Sequence, residues 1–147
     1  MSVNTRPHGV LFLCVANSAR SQMAEGWGRR LLGPGYAVQS AGSRPSFVHP
    51  HAQAVMAEVG VDLSDQRSKS VDDVDPATVD TVITLCAEEV CPVFLGAARR
   101  LHWPIDDPAG ADPSLGPEAG LQRFRRARDL LQEKIAAFAA QPQPSAP

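Results

Sequence analysis

The sequence predicts an α/β domain built on a parallel sheet. Three observations carry that expectation: short unbroken apolar runs of the kind buried on both sheet faces, stretches of helical period between them, and glycine or proline at the junctions. In such a sheet, joined by right-handed crossovers, ligands bind outside the carboxyl ends of the strands, where the strand order reverses.

Val10-Leu11-Phe12-Leu13 is the first such run and delivers the chain to Cys14. From Ser21 the pattern turns helical, with Met23, Trp27 and Leu31 four residues apart, until Gly33-Pro34-Gly35 stops it. Residues 37–41 read as a second strand ending at Gly42. Residues 51–59 read as a short helix that turns Val55, Met56 and Val59 inward and is capped by Gly60. Thr81-Val82-Ile83-Thr84-Leu85 is β-branched and apolar, a third strand, and it too ends on a thiol, Cys86. Cys14 and Cys86 therefore share one edge of the predicted sheet. Residues 99–103 fit a fourth strand, followed by a proline- and glycine-rich loop over 104–120. Leu121, Phe124, Leu131, Ile135 and Phe138 then mark a long amphipathic helix over 121–140. A flexible start (1–8) and a disordered tail (141–147) are expected around one domain, 9–140.

A chain of 147 residues suits one domain with a real core. With 44% hydrophobic and 20% charged residues it is neither a disordered chain nor a coiled coil. A net charge of -2 gives no overall pull toward nucleic acid or an anionic membrane, so any anion must be held by a local site. The longest apolar stretch, 9–16, falls far short of a membrane span, and the polar start lacks a secretory pattern, so a cytoplasmic protein is expected. Three cysteines, an odd number in a reducing compartment, favour catalytic or redox-active thiols over a disulfide framework.

The chemistry concentrates in Cys14-Val15-Ala16-Asn17-Ser18-Ala19-Arg20-Ser21. A thiol attacks as thiolate and needs positive potential to ionise at neutral pH. A loop between a strand end and a helix start supplies it, because successive backbone N–H groups converge as a nest at the positive end of the helix dipole. Arg20 adds a planar fork matched to two oxygens of a tetrahedral oxyanion, and Ser21 can donate to the sulfur. Asn17 tolerates left-handed backbone, and the small Ala16 and Ala19 keep the approach open. A cysteine with arginine six residues on is common by chance; the strand before it and the helix after it make it specific.

Cys86 and Cys91 are five residues apart, roughly 8.6 Å in a regular helix, beyond the roughly 4.4 to 6.8 Å between Cα atoms that a disulfide accepts. Bridging them requires local unwinding, and Pro92 disfavours helix at Cys91. His8, His49, His51 and His102 show no finger-like spacing, so no metal site is expected. Asp106-Asp107-Pro108 falls in the loop after the fourth strand, on the same sheet edge, where a carboxylic acid can protonate a departing oxygen. Asp107 is chosen, with Asp106 barely separated from it. Arg123, Arg125, Arg126 and Arg128 read as a solvated helix face, His49 and His51 as turn and cap residues, Trp27 and Trp103 as packing residues.

These residues resemble a known family. Cys14-x5-Arg20-Ser21, Ser40-Ala41-Gly42, Thr84-Leu85-Cys86, Cys91-Pro92 and His102-Trp103 followed by Asp106-Asp107-Pro108-Ala109 look like the thioredoxin-coupled arsenate reductases built on the low-molecular-weight tyrosine phosphatase fold. The likeness implies a three-layer αβα sandwich around a four-stranded parallel sheet of order 2-1-3-4. It implies that Cys14 attacks arsenate held by the amides of Val15 to Ser21 and by Arg20, while Asp107 protonates the departing hydroxyl. It implies that Cys86 then attacks Cys14, arsenite leaves, and Cys91 attacks Cys86, leaving a disulfide for thioredoxin, the external reductant. Two departures stand out: Ala16 and Ala19 replace a glycine and a cysteine frequent in the family loop. Some relatives hold potassium with residues resembling Asn17, Glu25 and Ser40, but here Lys69 stands where an acidic fourth ligand is expected, and its ammonium can replace the ion. A phosphatase needing only Cys14, Arg20 and Asp107, a small thiol as reductant, and a metalloid-binding protein without turnover remain as alternatives.

Overall fold

The computed structural model describes residues 6–87, 94, 96–110, 114 and 116–141. Four strands, β1 (His8–Cys14), β2 (Tyr36–Gly42), β3 (Thr81–Thr84) and β4 (Arg99–His102), form one sheet in the order β2-β1-β3-β4. Every pairing is parallel, Val10 facing Val38 on one side and Thr81 on the other, Thr84 facing His102. This is the α/β fold expected from the sequence pattern, with the strand order that the family resemblance implies. The order reverses at β1, so the loops after β1 and β3 open at the switch point.

Three helices, α1 (Arg20–Leu31), α2 (Pro50–Glu58) and α3 (Pro117–Ala140), pack on one face of the sheet. Strand alternation supplies the reason: Val10, Phe12 and Ile83 project into a core shared with Met23 and Trp27 of α1, Val55 and Met56 of α2, and Phe124, Leu131 and Ile135 of α3. The opposite face sets Leu11, Leu13 and Val82 against Val74, Val79 and Phe94, the first two carried on the segment of short 3-10 turns Val71–Asp73 and Pro76–Thr78. No helix among the described residues is long and apolar enough to cross a membrane.

Several boundaries differ from expectation for identifiable reasons. β1 begins at His8, whose Nε2 pairs with Thr81 Oγ1 at 2.8 Å, and Arg6 makes a two-pronged ion pair with Asp80, so order reaches into the segment expected to be flexible. α3 starts at Pro117 rather than at residue 121, because proline fits the first helical turn, where its missing N–H costs nothing. Arg128 does not belong to a solvated face. It is 9% exposed, its Nη1 donates to Val55 O and Glu58 Oε1, and its own carbonyl accepts from Trp27 Nε1, so it joins α1, α2 and α3. Gly60, at φ +80, ends α2 as expected.

Candidate active site

Cys14 is the last residue of β1, 2% exposed and a free thiol. The loop that follows is held by its carbonyls. Val15 O accepts from Arg44 N–H, Ala16 O from Ser46 N–H and the Ser68 hydroxyl, Asn17 O from Gln22 Nε2, Ser18 O from His49 N–H, and Ala19 O from Met23 N–H. In a trans peptide the C=O of one residue and the N–H of the next point opposite ways, so the amides of Ala16 through Arg20 turn to the concave side. Asn17, at φ 46, makes the bend that lets them converge.

The helix start adds to this. The residue before α1, Ala19, offers no side-chain cap, and the first turn carries no acid, so nothing within the helix satisfies or neutralises its positive end. Arg20 is 5% exposed and Nη1 donates to Ile105 O at 2.9 Å, which anchors the guanidinium to the loop after β4. Cys14, Ala16, Ser18, Ala19, Arg20 and Asp107 line one cavity of about 140 Å³, with Ser46, Phe47 and Ala109 at its wall. Asp107 Oδ1 accepts from Ala109 N–H and its carbonyl accepts from Arg123, fixing the acid loop to α3. Asp106 instead lines a second cavity, of about 560 Å³, against α3.

Beneath the loop runs a buried polar chain. Cys14 Sγ and Ser21 Oγ are 2.9 Å apart, Asn17 Nδ2 donates to Ser21 Oγ (2.7 Å) and to Ser40 Oγ (2.9 Å), and Ser40 donates to Glu25 Oε1 (2.6 Å). Arg29, one turn along α1, pairs with Glu25 Oε2 at 2.6 Å. Lys69, offered by the sequence as a substitute cation, reaches this chain through its backbone N–H, which donates to Asn17 Oδ1 at 2.8 Å; the cation against Glu25 is Arg29. A Glu–Arg pair at i, i+4 on a helix, as Glu25 and Arg29 are on α1, is legible in a sequence.

Other supports are tertiary. Gln22, wholly buried, ties Asn17 O to Arg67 O, and Gln66 donates to the Gln22 side chain. His49 caps α2 by accepting His51 N–H on Nδ1 while its own N–H holds Ser18 O. Burial first, and His51 second, hold its imidazole below the usual histidine range, which keeps Nδ1 an acceptor. Gly42 closes the set: a Cβ there would lie 2.3 Å from Val15 O and 2.8 Å from Cys14 O.

Cys86 follows β3, the strand paired with β1, so the two thiol positions stand at neighbouring strand ends, joined by Leu85 N–H donating to Leu13 O. Cys86 is 2% exposed and disulfide-bonded. Cys91 lies outside the described residues. Among the described residues no cluster of histidine, cysteine and carboxylate side chains has the makings of a metal site.

The family profile of the low molecular weight phosphotyrosine protein phosphatases matches residues 9–144. An arsenate reductase of Halalkalibacterium halodurans is 43% identical over 132 residues, which span 88% of this chain and 94% of that protein. A solved arsenate reductase in its phosphate-binding state superposes with a TM-score of 0.76 at 36% identity, covering 90% of this chain and 97% of the other. A thioredoxin-dependent arsenate reductase of Corynebacterium glutamicum superposes with a TM-score of 0.60 at 31% identity, covering 92% of this chain and 65% of that one.

Proposed function

The chain belongs to the low molecular weight phosphotyrosine protein phosphatase family, and we propose that within it this enzyme is an arsenate reductase that works through three thiols. The observation that carries the reading is one cavity holding Cys14, Arg20 and Asp107, beside a second cysteine, Cys86, at the end of the adjacent strand. A phosphatase needs only the first three.

Arsenate enters the nest of amides from Val15 to Ser21 with two oxygens on Arg20. Cys14 thiolate attacks arsenic, the As–O bond breaks, and Asp107 supplies the proton with which the oxygen leaves as water. Cys86 thiolate then attacks Cys14 sulfur. The S–As bonding pair stays with arsenic, which falls from the +5 to the +3 state and departs as arsenite, and a Cys14–Cys86 disulfide forms. Cys91 attacks Cys86, releasing Cys14 thiolate and leaving a Cys86–Cys91 disulfide. A free Cys14 together with a disulfide-bonded Cys86 is the thiol distribution at the end of that sequence, which supports it. The external dithiol is thioredoxin, in keeping with the thioredoxin-dependent relative. Thiols that must be re-reduced each turn fit the cytoplasm.

The groups that resemble a potassium site do not fit an ion here. Glu25 accepts Ser40 on one oxygen and Arg29 on the other, and Asn17 Oδ1 accepts Lys69 N–H, so a cation beside Glu25 has to displace a guanidinium. No step runs through potassium, and exchanging it for sodium should leave the arsenate KM and the melting temperature unchanged; a marked response to potassium refutes this.

The test is arsenate-dependent NADPH oxidation with thioredoxin and its reductase, beside a small-thiol system. Turnover is expected with thioredoxin and is abolished by Cys86→Ser. Retained multiple turnover in that variant removes the relay, and tight arsenite binding with no turnover in either system makes the protein a metalloid binder.

A further inference from the structure

Glu25 is a buried acid that none of the chemical steps above uses. Its side chain is 3% exposed, and the partner that meets its charge, Arg29, is 52% exposed at the protein surface. From that pair to the nucleophile the proton donors run in one direction. A carboxylate only accepts, so Ser40 must donate to Glu25. Ser40 oxygen is then open to Asn17, whose amide must present nitrogen, not oxygen, to it. Asn17 Oδ1 faces the other way, where Lys69 N–H holds it, and both hydrogens on Nδ2 are consumed, one by Ser40 and one by Ser21. With a donor on its oxygen, Ser21 has its own single hydrogen left for the sulfur 2.9 Å away.

We propose that Arg29 is a positioning residue for the nucleophile: by keeping Glu25 an acceptor it sets the direction of the Glu25–Ser40–Asn17–Ser21 chain, so that Ser21 donates to Cys14 thiolate. Without the guanidinium, a carboxylate buried this deeply stands uncompensated, and nothing holds the group as a pure acceptor. Ser40 is then no longer bound to donate to Glu25, the Asn17 amide loses its reason to face nitrogen-first, and the Ser21 hydrogen is no longer committed to sulfur. Lys69 N–H resists the reversal at one point only, since it holds Asn17 Oδ1 but neither hydroxyl. Hydrogen bonds in such chains polarise one another, so a change at the surface end reaches the sulfur four groups away. The inference rests on Cys14 being the nucleophile but not on arsenate being its substrate.

Alkylation reads the sulfur directly. Among the described residues of the oxidised protein Cys86 is in its disulfide and Cys14 is a free thiol, so iodoacetamide labelling read at the peptide that carries Cys14 reports this sulfur. Arg29→Gln should slow alkylation at pH 7 by about fivefold and move its rate profile to higher pH, Glu25→Gln should do the same, and Arg29→Lys should restore wild-type behaviour. An Arg29→Gln protein alkylated at the wild-type rate across the pH range overturns the proposal. So does a slowed rate that Arg29→Lys does not recover, or a lower melting temperature with the alkylation profile unchanged, which makes the pair a structural staple. Failure of arsenate turnover with the alkylation results as expected counts against the reductase reading alone.

Discussion

The Ser21 hydroxyl stands 2.9 Å from the Cys14 sulfur while its oxygen accepts from Asn17 Nδ2 at 2.7 Å. A thiolate has no hydrogen to give, so in the reactive state Ser21 is the donor of this pair. Hydrogen bonds to charged groups contribute about 1.5–3 kcal/mol, and Ser21→Ala should therefore lower kcat/KM for arsenate by about 10- to 100-fold. The loop carbonyls are held by other residues, so the variant should keep its melting temperature within a few degrees. Alkylation of Cys14 as fast as in the wild type contradicts this role.

Asp107 and Asp106 are adjacent in sequence but open on different cavities. Only Asp107 shares a wall with Cys14 and Arg20. Loss of a positioned general acid costs about 10²- to 10⁴-fold, so Asp107→Asn should lower kcat by at least about a hundredfold with little change in KM, because the anion is held by amides and Arg20. Asp106→Asn should turn over near the wild-type rate. Single-turnover kinetics of adduct formation separate the two, and the reverse ranking moves the acid to Asp106.

The strands and the reactive loop were legible because their signals are local. Val10 to Leu13 and Thr81 to Leu85 are apolar enough to have one fate, and the chemistry of Cys14 and Arg20 needs only seven residues of chain. The start of α3 was obscured because Pro117 sits in a segment rich in turn residues, where a first-turn proline and a loop proline look alike. The burial of Arg128 is not legible in the sequence because its partners, Val55 and Glu58, lie some seventy residues away and helical period alone assigns a charge to solvent. The supports of the loop share that difficulty: Gln22 to Arg67, Ser68 to Ala16 and His49 to Ser18 join residues that only the fold brings together.

Gly42 shows how much of the site depends on such closeness. It is the last residue of β2, pairs with Cys14 in register, and leaves no room for a side chain between itself and the loop backbone. Added there, a Cβ meets Val15 O at 2.3 Å, Cys14 O at 2.8 Å and Asn17 N at 2.9 Å, all main-chain atoms that cannot swing aside. Gly42→Ala should destabilise the fold by about 1–3 kcal/mol. The amides must shift to make room, so arsenate KM should rise more than the loss of stability explains. Urea unfolding beside steady-state kinetics checks both; a variant with wild-type KM shows that the loop tolerates the displacement.

Acid stability should track the α2–α3 contact. Arg125 donates to both oxygens of Glu58 and Arg128 donates to Oε1, and the Arg125 bonds, opposed by desolvation and then reinforced by Arg128, hold the Glu58 carboxyl down at about 2. The folded state thus binds the Glu58 proton less readily than the unfolded chain, whose ordinary value is 4.5. Its stabilisation is fully present above the unfolded value and is lost as pH falls from there toward 2. The pair is well exposed to solvent, so the effect is a slope rather than a collapse, and salt should flatten it. Urea midpoints measured for the wild type and Glu58→Gln should differ at pH 6, with the wild type higher, and converge by about pH 2.5. A gap that stays constant over that range assigns Glu58 a packing role without its charge, and Arg125→Met should then leave the pH dependence of the wild type intact.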